Sequence, residues 1–209
     1  MSTTVARPVF SAALAALLLG LTGCSIFPRP EPDPTRHYVL TAPSAAPAET
    51  ADVAPRADGL RLGLRTVRAA SYLEGVSLIV RRGENEIDHR DFARWAEPLS
   101  VGVGRILRQR LEQAETVARV LPQPFPFDVP RDVDIDVTIL RAEASQREDG
   151  RRVVSFVCAY EIIVSAEASA DAGAVLARET FVAPETPWKE GDYAGLVRAL
   201  GQAADPVVN

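Results

Sequence analysis

The sequence predicts an α/β fold, a two-layer sandwich with two helices on one face of a mixed, mainly antiparallel sheet. Three observations predict it. Apolar and polar residues alternate in short runs, most clearly where Val133, Ile135, Val137 and Ile139 interleave with Asp132, Asp134, Asp136 and Thr138. Two other segments carry apolar residues at helical spacing, one beginning at Pro98 and one at Asp192. The order of the runs is two strands, a helix, four strands and a second helix, which suits one sheet covered on one side.

The folded domain is read as 59–205. Leu60, Leu62 and Leu64 share one face of a strand over 60–67. A loop with Ser71, Tyr72 and Leu73 leads to a second strand from Val76 to Val80. Gly83, Glu84 and Asn85 form a turn into a short strand around Ile87, and Arg90 to Glu97 read as a charged link. Pro98 suits the first turn of a helix. In that helix Leu99, Val103, Ile106, Leu107, Leu111 and Ala114 lie on one side, with Arg105, Arg108, Gln109 and Glu112 largely opposite. Such a stripe is expected to pack on a sheet.

Thr116 to Leu121 is a short strand, and the proline-rich 122–130 a rigid loop. The strand from Asp132 to Leu140 has one apolar face; its acidic row, with no histidine near, is expected to be a solvated outer face rather than a metal site. Arg81-Arg82 and Arg151-Arg152 are expected to be solvated strand ends. Turns at 148–150 and 171–173 bound a long strand from Val153 to about Glu167, and Val175 to Val182 completes a three-stranded meander. Cys158 falls in the row Val154, Phe156, Cys158, Tyr160, Ile162 and Val164, so it is expected to be a buried free thiol. Asp192 is placed to cap a final helix with Tyr193, Leu196, Val197 and Leu200 on its apolar side, ended by Pro206.

Ahead of the domain the chain changes character. A single arginine, Arg7, precedes an apolar run from Val9 to Leu21, too short for a spanning helix of about 20 residues. The run fits an export signal, 1–23, and closes in Leu21-Thr22-Gly23-Cys24. This resembles the lipobox of bacterial lipoproteins, which implies cleavage between Gly23 and Cys24 and lipid on the Cys24 thiol. Ser25, where an aspartate would resemble an inner-membrane retention signal, implies the periplasmic face of the outer membrane. Residues 24–58, rich in proline and alanine, read as an extended tether. Within it His37-Tyr38-Val39-Leu40 has strand character and is a candidate for docking on the domain.

Several function classes are disfavoured. The formal net charge is −5, and loss of 1–23 removes only Arg7 from the charged side chains, so a nucleic-acid partner is not expected. His37 and His89 belong to no zinc pattern, and no nucleophile–base pair stands out, so no metal, no cofactor and no catalytic residue is assigned.

The ordered features then resemble a known family, the ABC-type transport auxiliary lipoproteins, also called PqiC-like. They are the lipobox, Tyr38-x-Leu40, the pair Tyr72-Leu73, an apolar strand ending in Arg81-Arg82-Gly83, and Arg94-Trp95-Ala96-Glu97-Pro98-Leu99 at the helix start. After Tyr72-Leu73 the chain departs from the family's Asp-Arg-Pro-like step and reads Glu74-Gly75-Val76. The resemblance implies a non-enzymatic, outer-membrane-anchored subunit of an intermembrane lipid transporter. Its partners would be an MCE-domain protein bridging the periplasm and, indirectly, an inner-membrane ABC permease and ATPase, with a homo-oligomer as one arrangement. The motif residues Tyr72, Leu73, Arg94, Trp95, Glu97 and Pro98 are then structural or partner-binding. For Trp95 the structural role is favoured, because a tryptophan just ahead of an amphipathic helix has a core to cover. The alternative reading is an outer-membrane lipoprotein that regulates a periplasmic enzyme such as a cell-wall synthase.

Overall fold

In a computed structural model of the chain, the described residues are 32–42, 59–166 and 171–208. The lipobox, the signal 1–23 and most of 24–58 lie outside them. One compact unit runs from Thr35 to Asn209. Its strands are β1 (Arg36–Tyr38), β2 (Leu60–Leu64), β3 (Arg68–Ala69), β4 (Ser77–Arg82), β5 (Glu86–Trp95), β6 (Val117–Pro122), β7 (Val133–Gln146), β8 (Arg152–Val164), β9 (Val175–Val182) and β10 (Thr186–Pro187). Helix α1 (Leu99–Gln113) lies between β5 and β6, and α2 (Tyr193–Ala204) follows β10.

The fold is the expected mixed α/β arrangement, organised around β7. One edge of this 14-residue strand takes three parallel partners in succession: β2 at Val133 to Ile135, β3 at Thr138 and Ile139, and β4 at Ala144 to Gln146. The other edge pairs antiparallel with β8 along its whole length, and β9 pairs antiparallel with β8 beyond. Leu140 is an extra residue on β7: Ile139 faces Cys158 and the next pair is Arg141 with Val157. This β-bulge shifts the phase of the side chains. Ile135, Val137 and Ile139 point into the core before it, and Ala142 and Ala144 after it. The polar row of Asp132, Asp134 and Asp136 therefore continues at Glu143.

Three local expectations change. The short strand around Ile87 and residues 90–95 of the expected charged link are one strand of 10 residues. Pairing with β4 on one edge and β1 on the other satisfies the backbone there, whatever the charge of the outward side chains. Pro98 is the residue before α1 rather than in its first turn, with φ −53° and ψ 136°. Its carbonyl still accepts from the amides of Val101 and Gly102, so the missing proline N–H costs the helix nothing. The strand expected from Asp132 to Leu140 runs on to Gln146.

The N-terminal island docks. β1 lies parallel to β5 with Tyr38 opposite Trp95, and the amide of Ala96 donates to the Tyr38 carbonyl at 2.9 Å. Leu40 is buried in the core. At Gly201 of α2 a Cβ would stand 2.1 Å from the Thr41 carbonyl oxygen, so only glycine lets the helix lie against this segment. At the other end of the chain, Asp192 caps α2 by accepting from the Gly195 amide at 2.8 Å.

Both helices and the inward sides of the strands share one core, which includes Trp95, Phe156, Cys158 and Leu196. Trp95 is buried, as the structural reading requires. Trp95→Ala is expected to cost about 3–5 kcal/mol, lowering the melting temperature by roughly 10 °C in a thermal scan; a variant that melts like the wild type would place Trp95 outside the core. Burial pushes the Cys158 thiol up to about 11. A thiol reagent at pH 8 is expected to label it slowly in the native chain and quickly in urea. Fast native labelling would mean that the faces of β8 are reversed.

Candidate functional site

The motif at the start of α1 and the Tyr38-x-Leu40 island, some sixty residues apart in sequence, meet in space. Trp95 turns inward beneath Tyr38. Glu97 pairs with Arg105 one to two turns into α1, and the same guanidinium donates to the Leu40 carbonyl at 3.1 Å. Gly102 leaves room for Leu40, whose Cβ would lie 3.1 Å from an added Cβ there. Trp95, Glu97 and Arg105 thus form a clamp on the N-terminal segment, and Pro98 opens the helix that carries Arg105. Arg94 departs from this group: it faces outward, exposed, with its Nε donating to the Asp91 carbonyl at 3.0 Å. Phe92 lies on the same strand with more than half of its surface exposed.

Tyr72 and Leu73 lie in a 3-10 turn, Ser71–Leu73, with Leu73 in the core and Tyr72 at its border. The Tyr72 hydroxyl donates to the Leu140 carbonyl at 2.9 Å, on the bulge of β7. The Arg81 guanidinium stacks on its ring at 5.2 Å and pairs with Glu143. The side chains of Arg81 and Glu143 are only 12% and 0% exposed. Arg81 is therefore not the solvated strand end that its sequence suggests. Burial, reinforced by the Glu143 charge, pushes the Tyr72 hydroxyl up to about 12.

The acidic row is likewise not a bare solvated face. Asp132 takes Arg61 at 2.9 Å, Asp134 takes Arg131 at 2.9 Å and Arg65 at 3.4 Å, and Asp136 takes Arg68 at 2.8 Å. The hydrogen bonds from Arg61 hold the Asp132 carboxyl below the usual carboxylate range. Asp134 is buried, and Gly63 on β2 makes room for it: a Cβ at Gly63 would meet its Oδ1 at 2.1 Å. Arginines on neighbouring segments neutralise each carboxylate, so the row has no free charge to offer a metal ion. Among the described residues, no three of His, Cys, Asp and Glu are grouped to hold a metal.

Two concavities flank α1. A groove of about 410 Å³ runs along its exposed side, bordered by Arg65, Arg105 and Arg108. Each of these arginines already has a carboxylate partner. A second cavity, of about 380 Å³, lies between the end of α1 and the sheet and is lined almost wholly by apolar side chains. Sequence reasoning missed the Arg81–Glu143 pair, the Arg105 clamp and this cavity. Only the clamp left a signal, in the short spacing between Glu97 and Arg105.

Fold and site together define a small two-layer α/β domain, fastened to the incoming chain by a docked N-terminal strand. The family model for the ABC-type transport auxiliary lipoprotein component matches residues 38–209, and the chain belongs to this family. The match begins at Tyr38, inside the docked strand. Association with an ABC-type transport system follows from the family. No helix among the described residues is long and apolar enough to cross a membrane. The chain resembles the crystal structure of protein XCC0632 from Xanthomonas campestris, assigned to DUF330, with 18% identity and a TM-score of 0.60 over 82% of this chain and 86% of that one. It also resembles a crystal structure of an uncharacterized protein, with 19% identity and a TM-score of 0.57 over 82% and 92% of the two chains. A more distant likeness is a PelC dodecamer from Paraburkholderia phytofirmans, with 13% identity and a TM-score of 0.39 over 72% and 86%. The chain matches no curated protein.

Glu143→Gln is expected to cost about 3 kcal/mol in urea melts, because Arg81 then keeps its buried position without a carboxylate. The Tyr72 proton leaves the unfolded chain near pH 10 and the folded one near pH 12. Its contribution is complete below pH 10 and is lost as pH rises through that window. Tyr72→Phe is therefore expected to lose less stability than the wild type between about pH 10 and 12; parallel profiles would show that the hydroxyl is not shielded.

Proposed function

We propose that this protein is the outer-membrane-anchored lipoprotein of an MCE/ABC-type intermembrane lipid transporter. Lipid on Cys24 would hold it at the periplasmic face, and the domain would dock the periplasm-spanning MCE partner. The observation that carries the reading is family membership over 38–209 in a chain with Leu21-Thr22-Gly23-Cys24 just upstream. Two or more acyl chains give stable anchoring, since each buried CH₂ contributes about 0.8 kcal/mol.

The outer face of β5 is the surface we assign to docking. Phe92 and Arg94 stand exposed on it, while Trp95 beside them is turned into the core. Aromatic and arginine side chains dominate the energy of protein interfaces. This divides the motif into a structural part, Trp95, Glu97 and Pro98, and a partner-facing part, Arg94.

In cells fed a clickable fatty acid, the wild type is expected to be labelled and to fractionate with outer membranes. Cys24→Ser is expected to lose the label; equal labelling of the two would remove the anchor from the proposal. Affinity capture of the lipoprotein is expected to bring down an MCE-domain protein. Phe92→Asp combined with Arg94→Glu is expected to reduce that capture at least ten-fold with an unchanged melting temperature. Undiminished capture would move the docking surface elsewhere, and capture without any MCE-domain protein would overturn the reading.

A further inference from the structure

The apolar cavity arises from a mismatch in length between the two layers. Helix α1 stops at Gln113, and Ala114 turns the chain into an extended conformation. Strand β8 runs on past the point where the helices cover it. Its core-facing residues Phe156 and Cys158 are buried, whereas Tyr160, Ile162 and Val164 are only half-buried. The apolar alternation nevertheless continues to Val164, as though the face were still to be covered. On β9 a register shift leaves Leu176 as an extra residue between Val175 and Ala177, opposite Ile162 and Ile163. It forms a lip of the cavity and is 61% exposed.

The walls are Leu111 of α1, Ile135 and Val137 of β7, and Ile162 of β8, with Val207 at one end. No carboxylate, ammonium or guanidinium lines the space; its polar side chains are Thr116 and Tyr160, both hydroxyls. At about 380 Å³ it falls in the range of small-molecule sites, roughly 300–1,000 Å³. Water held there finds few hydrogen-bond partners. The stretches 43–58 and 167–170, which adjoin it in sequence, hold Val53 as their single branched aliphatic residue and no aromatic. A flat protein surface does not enter a narrow concavity, whereas a flexible unbranched hydrocarbon does.

We infer that this cavity takes one acyl chain of a lipid, with the polar end of the molecule left outside near Thr116 and Tyr160. The transport reading is the basis for taking lipid cargo as the source, but the binding itself requires no partner protein. Free fatty acid, phospholipid and the protein's own anchor present the same hydrocarbon to these walls.

The test uses the full-length lipoprotein in cells fed a photoactivatable, clickable palmitate, irradiated before purification. Adducts are expected on peptides of β7, β8 or β9 that line the cavity. The adduct mass separates free acid from glycerophospholipid, and persistence of the adduct in Cys24→Ser excludes the protein's own anchor as its source. Ile162→Trp, which fills the cavity, is expected to cut the yield at least ten-fold with an unchanged melting temperature. Leu176→Glu, at the exposed lip, gives the same test without touching the buried walls. Adducts absent, or spread over the surface and unaffected by both variants, overturn the inference. So does a stable dimer broken by Leu176→Glu without adducts, because a second copy would then be the cover. Capture of an MCE-domain protein by a chain that yields no adducts would defeat this inference alone and leave the docking reading intact.

Discussion

The structure depends on β7 being paired along both edges. Its antiparallel partner β8 runs its full length, while β2, β3 and β4 share the opposite edge in turn. A strand so enclosed must satisfy its backbone and bury one face, which its alternating valines and isoleucines do. Its other face is closed by charge rather than by a second layer of helices. Arginines from β2, the following loop, β3 and β4 reach across to Asp132, just before β7, and to the carboxylates of β7. The bulge at Leu140 keeps these carboxylates on a single side as the strand bends. The exposed members of this row contribute little individually, since surface ion pairs are worth about 0–1 kcal/mol. The buried ones, at Asp134 and Glu143, matter mainly because removing a partner strands a charge.

A second constraint is the fastening of the chain's N-terminal side. Tyr38 and Leu40 are not part of the sequence-predicted domain, yet Leu40 is among the most deeply buried side chains. The motif at the start of α1 serves this fastening: Trp95 underlies the docked strand, Glu97 orients Arg105, and Arg105 holds the Leu40 carbonyl. Arg94, between the buried Ala93 and Trp95, faces outward. A single short motif therefore contains both a structural anchor and an exposed charge, which sequence proximity conceals.

Much of the fold was legible because its signals are local. The alternation in β7 and β8, the stripe of α1, the cap at Asp192 and the burial of Cys158 can each be read from a window of a dozen residues. What was not legible comes from distant pairing. The charged residues of β5 suggest a link, and only β1 and β4 on either side make them a strand. Arg81 looks like a solvated end until Glu143, 62 positions away, is brought beneath Tyr72. The acidic row reads as solvated because, apart from Arg131, the arginines paired with it come from other segments. The cavity has no local signature, since it results from where two layers end relative to each other.

The docked strand also sets how far the domain can travel from its point of attachment. If residues 24–58 were free throughout, the domain could stand roughly 120 Å from Cys24 at full extension. With Arg36 fixed beside Ala93, the leash between anchor and domain shortens to the residues between Cys24 and Arg36, a reach of roughly 40 Å. Residues 43–58 lie in sequence between the docked segment and Gly59, so lengthening them would not lengthen this leash. Were Cys24 lipidated, as proposed, this short leash would confine the domain to a thin layer above the membrane, and any partner reaching it from elsewhere would have to cross the remaining distance itself.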